Sequence, residues 1–277
     1  MPRQKRTEEE KYAELLAKLP EFCLMDDTFM TAFFDGQNDL MEFVLKIILQ
    51  KDDLKVLSTK TQIEIHSVKG RSARLDVYAV DSKGKHYDFE VQNANDGADV
   101  KRARFNSSMM DSTFLKKKEK FKELPESYVI FITENDVLGG NKPIYHIDRF
   151  IKELDYKTFG DGQHIIYVNG SFKGDDELGK LIFDFKCKNA KDMNYKILSE
   201  RADYIKTEGG SGMCKIMDDL IQKERAEERA EVLAETKKEF ALKLLKSSQM
   251  SKLEISLMTD LTLKEVEQIA KELEERV

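Results

Sequence analysis

Residues 72–94 read SARLDVYAVDSKGKHYDFEVQNA, and the period of this stretch decides the architecture. In its first half Leu75, Val77 and Ala79 alternate with Asp76, Tyr78 and Val80. In its second half Tyr87, Phe89 and Val91 alternate with Asp88, Glu90 and Gln92. A period of two puts each set on one face of a β-strand. The intervening DSKGK is a turn, so the two strands form an antiparallel hairpin. A loop with an odd number of residues centred on Lys83, either 81–85 or 82–84, places Asp76 opposite Glu90. A two-residue turn at Lys83 and Gly84 slips the register and brings Val91 there instead.

Opposed side chains in such a hairpin lie about 4.5–5.5 Å apart at Cβ, where like charges destabilise the pair. Two facing carboxylates need a counter-charge, and a divalent cation is a natural one. Mg²⁺ takes oxygen ligands at about 2.0–2.1 Å, keeps several waters, and is commonly bound by one or two carboxylates plus substrate phosphate. Such an ion polarises a phosphodiester and lowers the pKa of bound water. Gln92 shares the face of Glu90, two residues on, so its amide is placed to orient that water. An amphipathic hairpin with acids on a solvated face has the same spacing, and the pattern alone leaves both readings open.

Working outward, Phe29, Ala32 and Phe33 recur at helical spacing, and so do Leu40, Phe43, Val44, Ile47 and Ile48. The stretch 61–68 alternates as a strand. A helix is expected from 99 to about 122, with Asp99 as its N-cap. YVIFIT at 128–133 is a continuous apolar run, the mark of a strand buried on both faces. Further strands are expected at 143–147 and 164–169. Beyond about Gly174 the pattern is helical, and GGSG at 209–212 marks a break. A long helix follows over 213–246, whose QKERAEERAE middle must be solvated or pack narrowly through Ala226 and Ala230. Two capping boxes, Ser251 with Glu254 and Thr262 with Glu265, predict two short helices at the end. These shifts divide the chain into a charged helical segment (1–25), an α/β domain (26–175) and a helical C-terminal region (176–277).

The chain has 277 residues, a formal net charge of −6, and 35% charged side chains. An acidic balance argues against indiscriminate nucleic-acid binding by the whole surface. Segment 101–122, with KRAR and LKKKEKFK, is locally basic. Lys101, Arg102 and Arg104 open the helix after the acidic hairpin and are candidate phosphate contacts. Arg102 and Arg104, two apart, do not share a helix face. Cys23, Cys187 and Cys214 are scattered and odd in number, which suggests buried reduced thiols rather than a disulfide framework or zinc site. The four histidines lack metal-ligand spacing, so any metal should have oxygen ligands. No apolar run is long enough to span a bilayer, and the basic start MPRQKR leads into no apolar stretch. A cytoplasmic location is the default expectation. The final helix, LKEVEQIAKELEERV, is too acidic for comfortable entry into a DNA groove, so the C-terminal helices are expected to serve packing or self-association into a homo-oligomer.

The string RSARLDVYAVDSKGKHYDFEVQNANDGADVKRARFNSSMMD, together with DDTFMTAFFDGQNDLMEFVLKIIL before it and YVIFIT after it, closely resembles the PD-(D/E)XK nuclease family transposases, also called recombination-promoting (Rpn-like) nucleases. The resemblance runs from about Asp26 to about Ile147. It implies an α/β restriction-endonuclease-like core with a mixed central sheet flanked by helices. It also implies Mg²⁺-dependent DNA cleavage, with Mn²⁺ as a substitute. Asp76 matches the family's aspartate, and Glu90 and Gln92 match its ExQ element, where many nucleases of the wider superfamily carry ExK. Gln92 cannot offer a cation as lysine would, so Lys101 or Arg102 is a candidate to supply charge. In such sites an acid from the first core helix often joins the metal ligands. Glu42, set between Met41 and Phe43, is the candidate here, with a plain solvent-face role as the alternative. A lysine common after the family's first Phe is Met30 in this chain. A nuclease fold kept as a non-catalytic binding or assembly module is the competing reading.

Overall fold

The computed structural model describes residues 8–67, 70–93, 95–115, 118–208, 211–247 and 250–274. Lys116, Lys117, Gly209 and Gly210, which belong to the expected basic run and helix break, lie outside the described residues. In chain order the elements are α1 (Glu8–Lys18), α2 (Asp27–Phe34), α3 (Asn38–Leu49), β1 (Val56–Ile65), β2 (Ala73–Asp81), β3 (His86–Gln92), α4 (Val100–Phe114), β4 (Ser127–Thr133), β5 (Ile144–Ile147), β6 (Phe150–Ile151), β7 (Lys157–Thr158), β8 (Gln163–Asn169), α5 (Glu177–Lys186), α6 (Lys196–Asp203), α7 (Ser211–Ser247), α8 (Lys252–Thr259) and α9 (Leu263–Glu274). The chain divides into two compact units, 1–217 and 218–277.

The first unit is built on a six-stranded mixed sheet of order β1-β2-β3-β4-β8-β5. β1, β2 and β3 form an antiparallel meander, β3, β4 and β8 run parallel, and β5 closes the edge antiparallel to β8. Every residue of β4 is buried, as its unbroken apolar run requires of a central parallel strand. Phe34 of α2 packs edge-on to Phe89 of β3 at 5.8 Å, and Phe185 of α5 lies 6.0 Å from Phe89. Met25 N–H donates to Phe185 O at 3.1 Å. The 1–217 unit therefore takes in both α5 and α6, which the sequence reading placed in the C-terminal region. Helical periodicity marks an apolar face and not the surface it packs on. The sequence reading also lacked the short β6–β7 pair. Cys23 and Cys187 are free and half-buried.

The second unit has its own small core of Ala241, Ile255, Val266 and Ile269. Both predicted capping boxes are present: Ser251 pairs with Glu254, and Thr262 with Glu265. Ala226 and Ala230 of α7 are exposed, so the middle of that helix is solvated.

The β2–β3 turn fixes the geometry that matters most. Val77 pairs with Phe89, Tyr78 with Asp88, Ala79 with Tyr87 and Val80 with His86. This is the odd-loop register, and one step further it sets Asp76 against Glu90. Asp81 N–H donates to Lys85 O at 3.0 Å, closing the loop 82–84, where Gly84 takes the left-handed conformation (φ 74°). Asp81 Oδ1 accepts from the N–H of Lys83 (2.9 Å) and Lys85 (2.8 Å), and Oδ2 accepts from Tyr87 Oη (2.9 Å). One buried carboxylate thus ties the turn to the following strand. Asp81→Ala should lower stability by about 1–3 kcal/mol, because it leaves those donors unpaired. Urea denaturation checks this, and an unchanged midpoint would show that the register is set elsewhere.

Candidate active site

Asp76, Asp88 and Glu90 gather where β2, β3 and α4 meet. Asp88 and Glu90 are 0% exposed and Asp76 is 5% exposed. Asp76 and Glu90 adjoin as the register requires, and Asp76 N–H donates to Glu90 Oε1 at 3.4 Å. α4 is started by Asp99, whose side chain accepts from Lys101 N–H at 2.7 Å, as expected of an N-cap. Its first turns aim two side chains back at the acids. Arg102 Nη2 donates to Glu90 Oε2 at 2.6 Å, while Nη1 donates to Gly97 O at 2.9 Å. Asn106, one helical turn on, donates to Asp88 Oδ2 at 3.0 Å and to Glu90 Oε1 at 3.3 Å. Gln92 Nε2 reaches Glu90 Oε2 at 3.3 Å. The turn Asn95–Ala98 closes over that amide, and a Cβ at Gly97 would stand 2.1 Å from Gln92 Oε1.

Three acids against one guanidinium leave a deficit of positive charge. Burial, then the Glu90 charge and Asp27, push the Asp76 carboxyl up to about 8. Burial also raises Asp88, and burial and the Asp88 charge raise Glu90. Asp88 Oδ1 has no donor, although the Asp88 and Glu90 carboxyls are in hydrogen-bonding contact. Two carboxyls so placed must share a proton or a cation. The Asp76 carboxylate accepts no hydrogen bond among the described residues. It opens onto a cleft of about 740 Å³ lined by Arg71, Arg74, Lys101 and Arg102 beside Asp99.

The remaining candidates fall differently. Lys101 and Arg102 line the cleft, whereas Arg104 is exposed outside it. Glu42 is not brought to the acids. Its carboxylate accepts from Lys46 Nζ (2.8 Å) and from Val56 N–H (3.0 Å). Val56 pairs with Asp81, five residues or about 17 Å along β2 from Asp76. The acid that α2 and α3 do contribute is Asp27, at the start of α2, whose charge acts on Asp76 and which lies 3.7 Å from Arg74. Arg71, Arg74, Asp88 and Asn106 were not singled out in the sequence. Arg74 and Asp88 share the parity of Asp76 and Glu90, and Asn106 lies one turn beyond Arg102, so period alone could have found three of the four.

These residues suit a hard divalent cation. The donors are oxygens, and Asp76 and Asp88 each hold unpartnered oxygen. Among the described residues no three His, Cys, Asp or Glu side chains surround a common point. The protein could then furnish two acidic ligands and leave the other positions to water and phosphate, an arrangement Mg²⁺ accepts.

A mixed sheet flanked by helices, with acids facing each other on adjacent strands, is the architecture of the PD-(D/E)XK class. Residues 29–171, just over half of the chain, match the PD-(D/E)XK nuclease family transposases, and the protein belongs to that family. That family implies phosphodiester chemistry, DNA as partner and, typically, a divalent metal. No curated protein and no solved structure matches the chain. Among the described residues no helix is long and apolar enough to cross a membrane.

The raised carboxyls carry a pH signature. An acid whose folded pKa exceeds its unfolded value stabilises the fold below the unfolded value, near 4, and loses that contribution as pH rises through the folded value. The metal-free protein should lose stability from about pH 4 to about pH 8, the value for Asp76. Asp88→Asn keeps the shape and can donate to Glu90. It should flatten that slope and raise the thermal midpoint at pH 8. A slope identical to wild type in calorimetric scans across this range would refute the assignment.

Proposed function

We propose that the protein is a metal-dependent DNA endonuclease in which Asp76 and Glu90 hold Mg²⁺, or Mn²⁺ in its place, at the floor of the basic cleft. The observation that carries this reading is Asp76: nearly buried, in register with Glu90, and facing the cleft without a hydrogen-bond donor. When bound, the cation supplies charge that activates water and offsets the phosphate oxyanion. The chain's own residues do the rest. Lys101, with Arg71 and Arg74, receives phosphate oxygens without reading sequence. Asn106 and Gln92 hold the Glu90 carboxylate in place, while the Gln92 amide oxygen faces Gly97. Arg104, outside the cleft, can reach only a flanking phosphate. Glu42 takes no part. Membership of a family described as nuclease-type transposases supports a role for this activity in recombination or mobile elements.

One observation favours a catalytically weak or silent module. Glu90 is already surrounded by donors, and Gln92 adds no charge. Plasmid nicking in Mg²⁺ separates the two readings. Asp76→Ala should reduce nicking by on the order of a hundredfold or more, at least what losing a metal site's outer support costs. Its thermal midpoint should hold or rise, because a buried acid is removed. Glu42→Gln should nick as wild type does. Full activity in the Asp76 variant would reject the endonuclease assignment.

A further inference from the structure

The Glu90 carboxylate is saturated. Oε1 accepts from Asp76 N–H (3.4 Å) and Asn106 Nδ2 (3.3 Å), and Oε2 accepts from Arg102 Nη2 (2.6 Å) and Gln92 Nε2 (3.3 Å). A carboxylate has about four lone-pair sites, and four donors surround this one, with the Asp88 carboxyl in contact besides. A cation can therefore reach Glu90 only by displacing one of them. Asp76 N–H belongs to the β2 backbone. Asn106 is buried and shared with Asp88. Gln92 is neutral and boxed in by Gly97. Arg102 alone carries a charge that repels an incoming cation. Its side chain is 35% exposed against 0% for Glu90, and it lines the cleft into which it could turn.

We infer that Arg102 and a divalent cation exchange at Glu90: the guanidinium holds the carboxylate when the cation is absent, and becomes a phosphate ligand in the cleft when the cation is present. This rests on the reading that Asp76 and Glu90 hold the cation. The exchange gives each ionic partner one use at a time. Without a cation, Arg102 is the counter-ion that keeps a buried acid tolerable. With a cation, two positive charges at one carboxylate oppose each other, and the flexible one moves. A guanidinium released beside Lys101, Arg71 and Arg74 meets a phosphate with bidentate geometry. Coupling of this kind is reciprocal, so a phosphate that draws Arg102 away should in turn favour the cation.

Isothermal titration of the full chain with Mg²⁺ at pH 8.5 tests the exchange. Arg102→Gln should bind Mg²⁺ roughly tenfold more tightly than wild type, because a charge-assisted competitor has gone. Arg102→Lys should fall between the two, and it carries the test if the glutamine variant fails to fold by circular dichroism. Equal affinities in wild type and variant overturn the exchange while leaving the Asp76–Glu90 reading in place. No binding to either protein overturns both. For the second half of the inference, duplex DNA binding is measured against KCl, with and without a fixed concentration of Ca²⁺. With the cation, the logarithmic salt slope of wild type should exceed that of Arg102→Gln by about 0.9, one phosphate contact. Without it, the slopes should coincide. Equal slopes in Ca²⁺ overturn the phosphate role.

Discussion

Three buried carboxyls with one guanidinium in contact, and that one on Glu90 alone, are the constraint from which the rest of the first unit follows. Removing an ionised carboxylate from water costs several kcal/mol even after the protein relaxes, and the 1–217 unit buries the carboxyls of Asp76, Asp88 and Glu90 together, which raises the pKa of all three. The acids cannot turn outward. β3 is held between β2 and β4, so Glu90 lies beside Phe131 in the sheet, and α4 covers the same place with Ala103, Asn106 and Met110. Protons, Arg102 with a smaller part from Arg74, or an added cation must balance the site. A fold that merely needed stability would carry apolar residues there.

The surroundings divide into an acidic floor and a basic rim. Arg71 comes from the chain entering β2, Arg74 from the start of β2 itself, and Lys101 and Arg102 from the first turn of α4. Asp99 makes this possible by capping α4, which starts the helix at the point where Arg102 and Asn106 both face the acids. The net charge of −6 is therefore a poor guide to the local field. A polyanion sees the rim first, and local potentials rather than the sum steer it.

Legibility in the sequence followed the range of the interaction involved. The hairpin could be read because strand alternation is local, but the pattern allows an odd loop or a two-residue turn, and the closed loop 82–84 is what fixes the Asp76–Glu90 register. The burial of β4 could be read because its apolar run has no break. Glu42 could not be placed. Helical spacing gives the face of a residue, whereas the end of the sheet that α3 serves is set by tertiary packing, here by the Val56 N–H that captures its carboxylate. Asp27 has no pattern to announce it, since its relation to Asp76 is long-range. The boundary at 176 moved for the same reason: the ring of Phe185 finds Phe34 and Phe89 across some hundred residues or more. Asp88 had the right parity, but the sequence does not say that its face is dry.

That dryness links stability to function with opposite signs. Protonated acids hold the metal-free fold together, because a neutral carboxyl costs far less to bury than a charged one. Holding a cation requires the same groups to ionise, so binding must expel protons and supply the charge that replaces them. The ionised, metal-free state is the least favourable of the three, and whatever binds the ionised site stabilises the fold by mass action. Gln92 fits this scheme better than a lysine would in one respect. A second fixed cation on β3 would settle the acids without metal and leave them less need of it. An amide orients Glu90 and leaves the charge deficit standing, while the guanidinium that pairs with Glu90 comes from α4 and is itself part-exposed at the cleft.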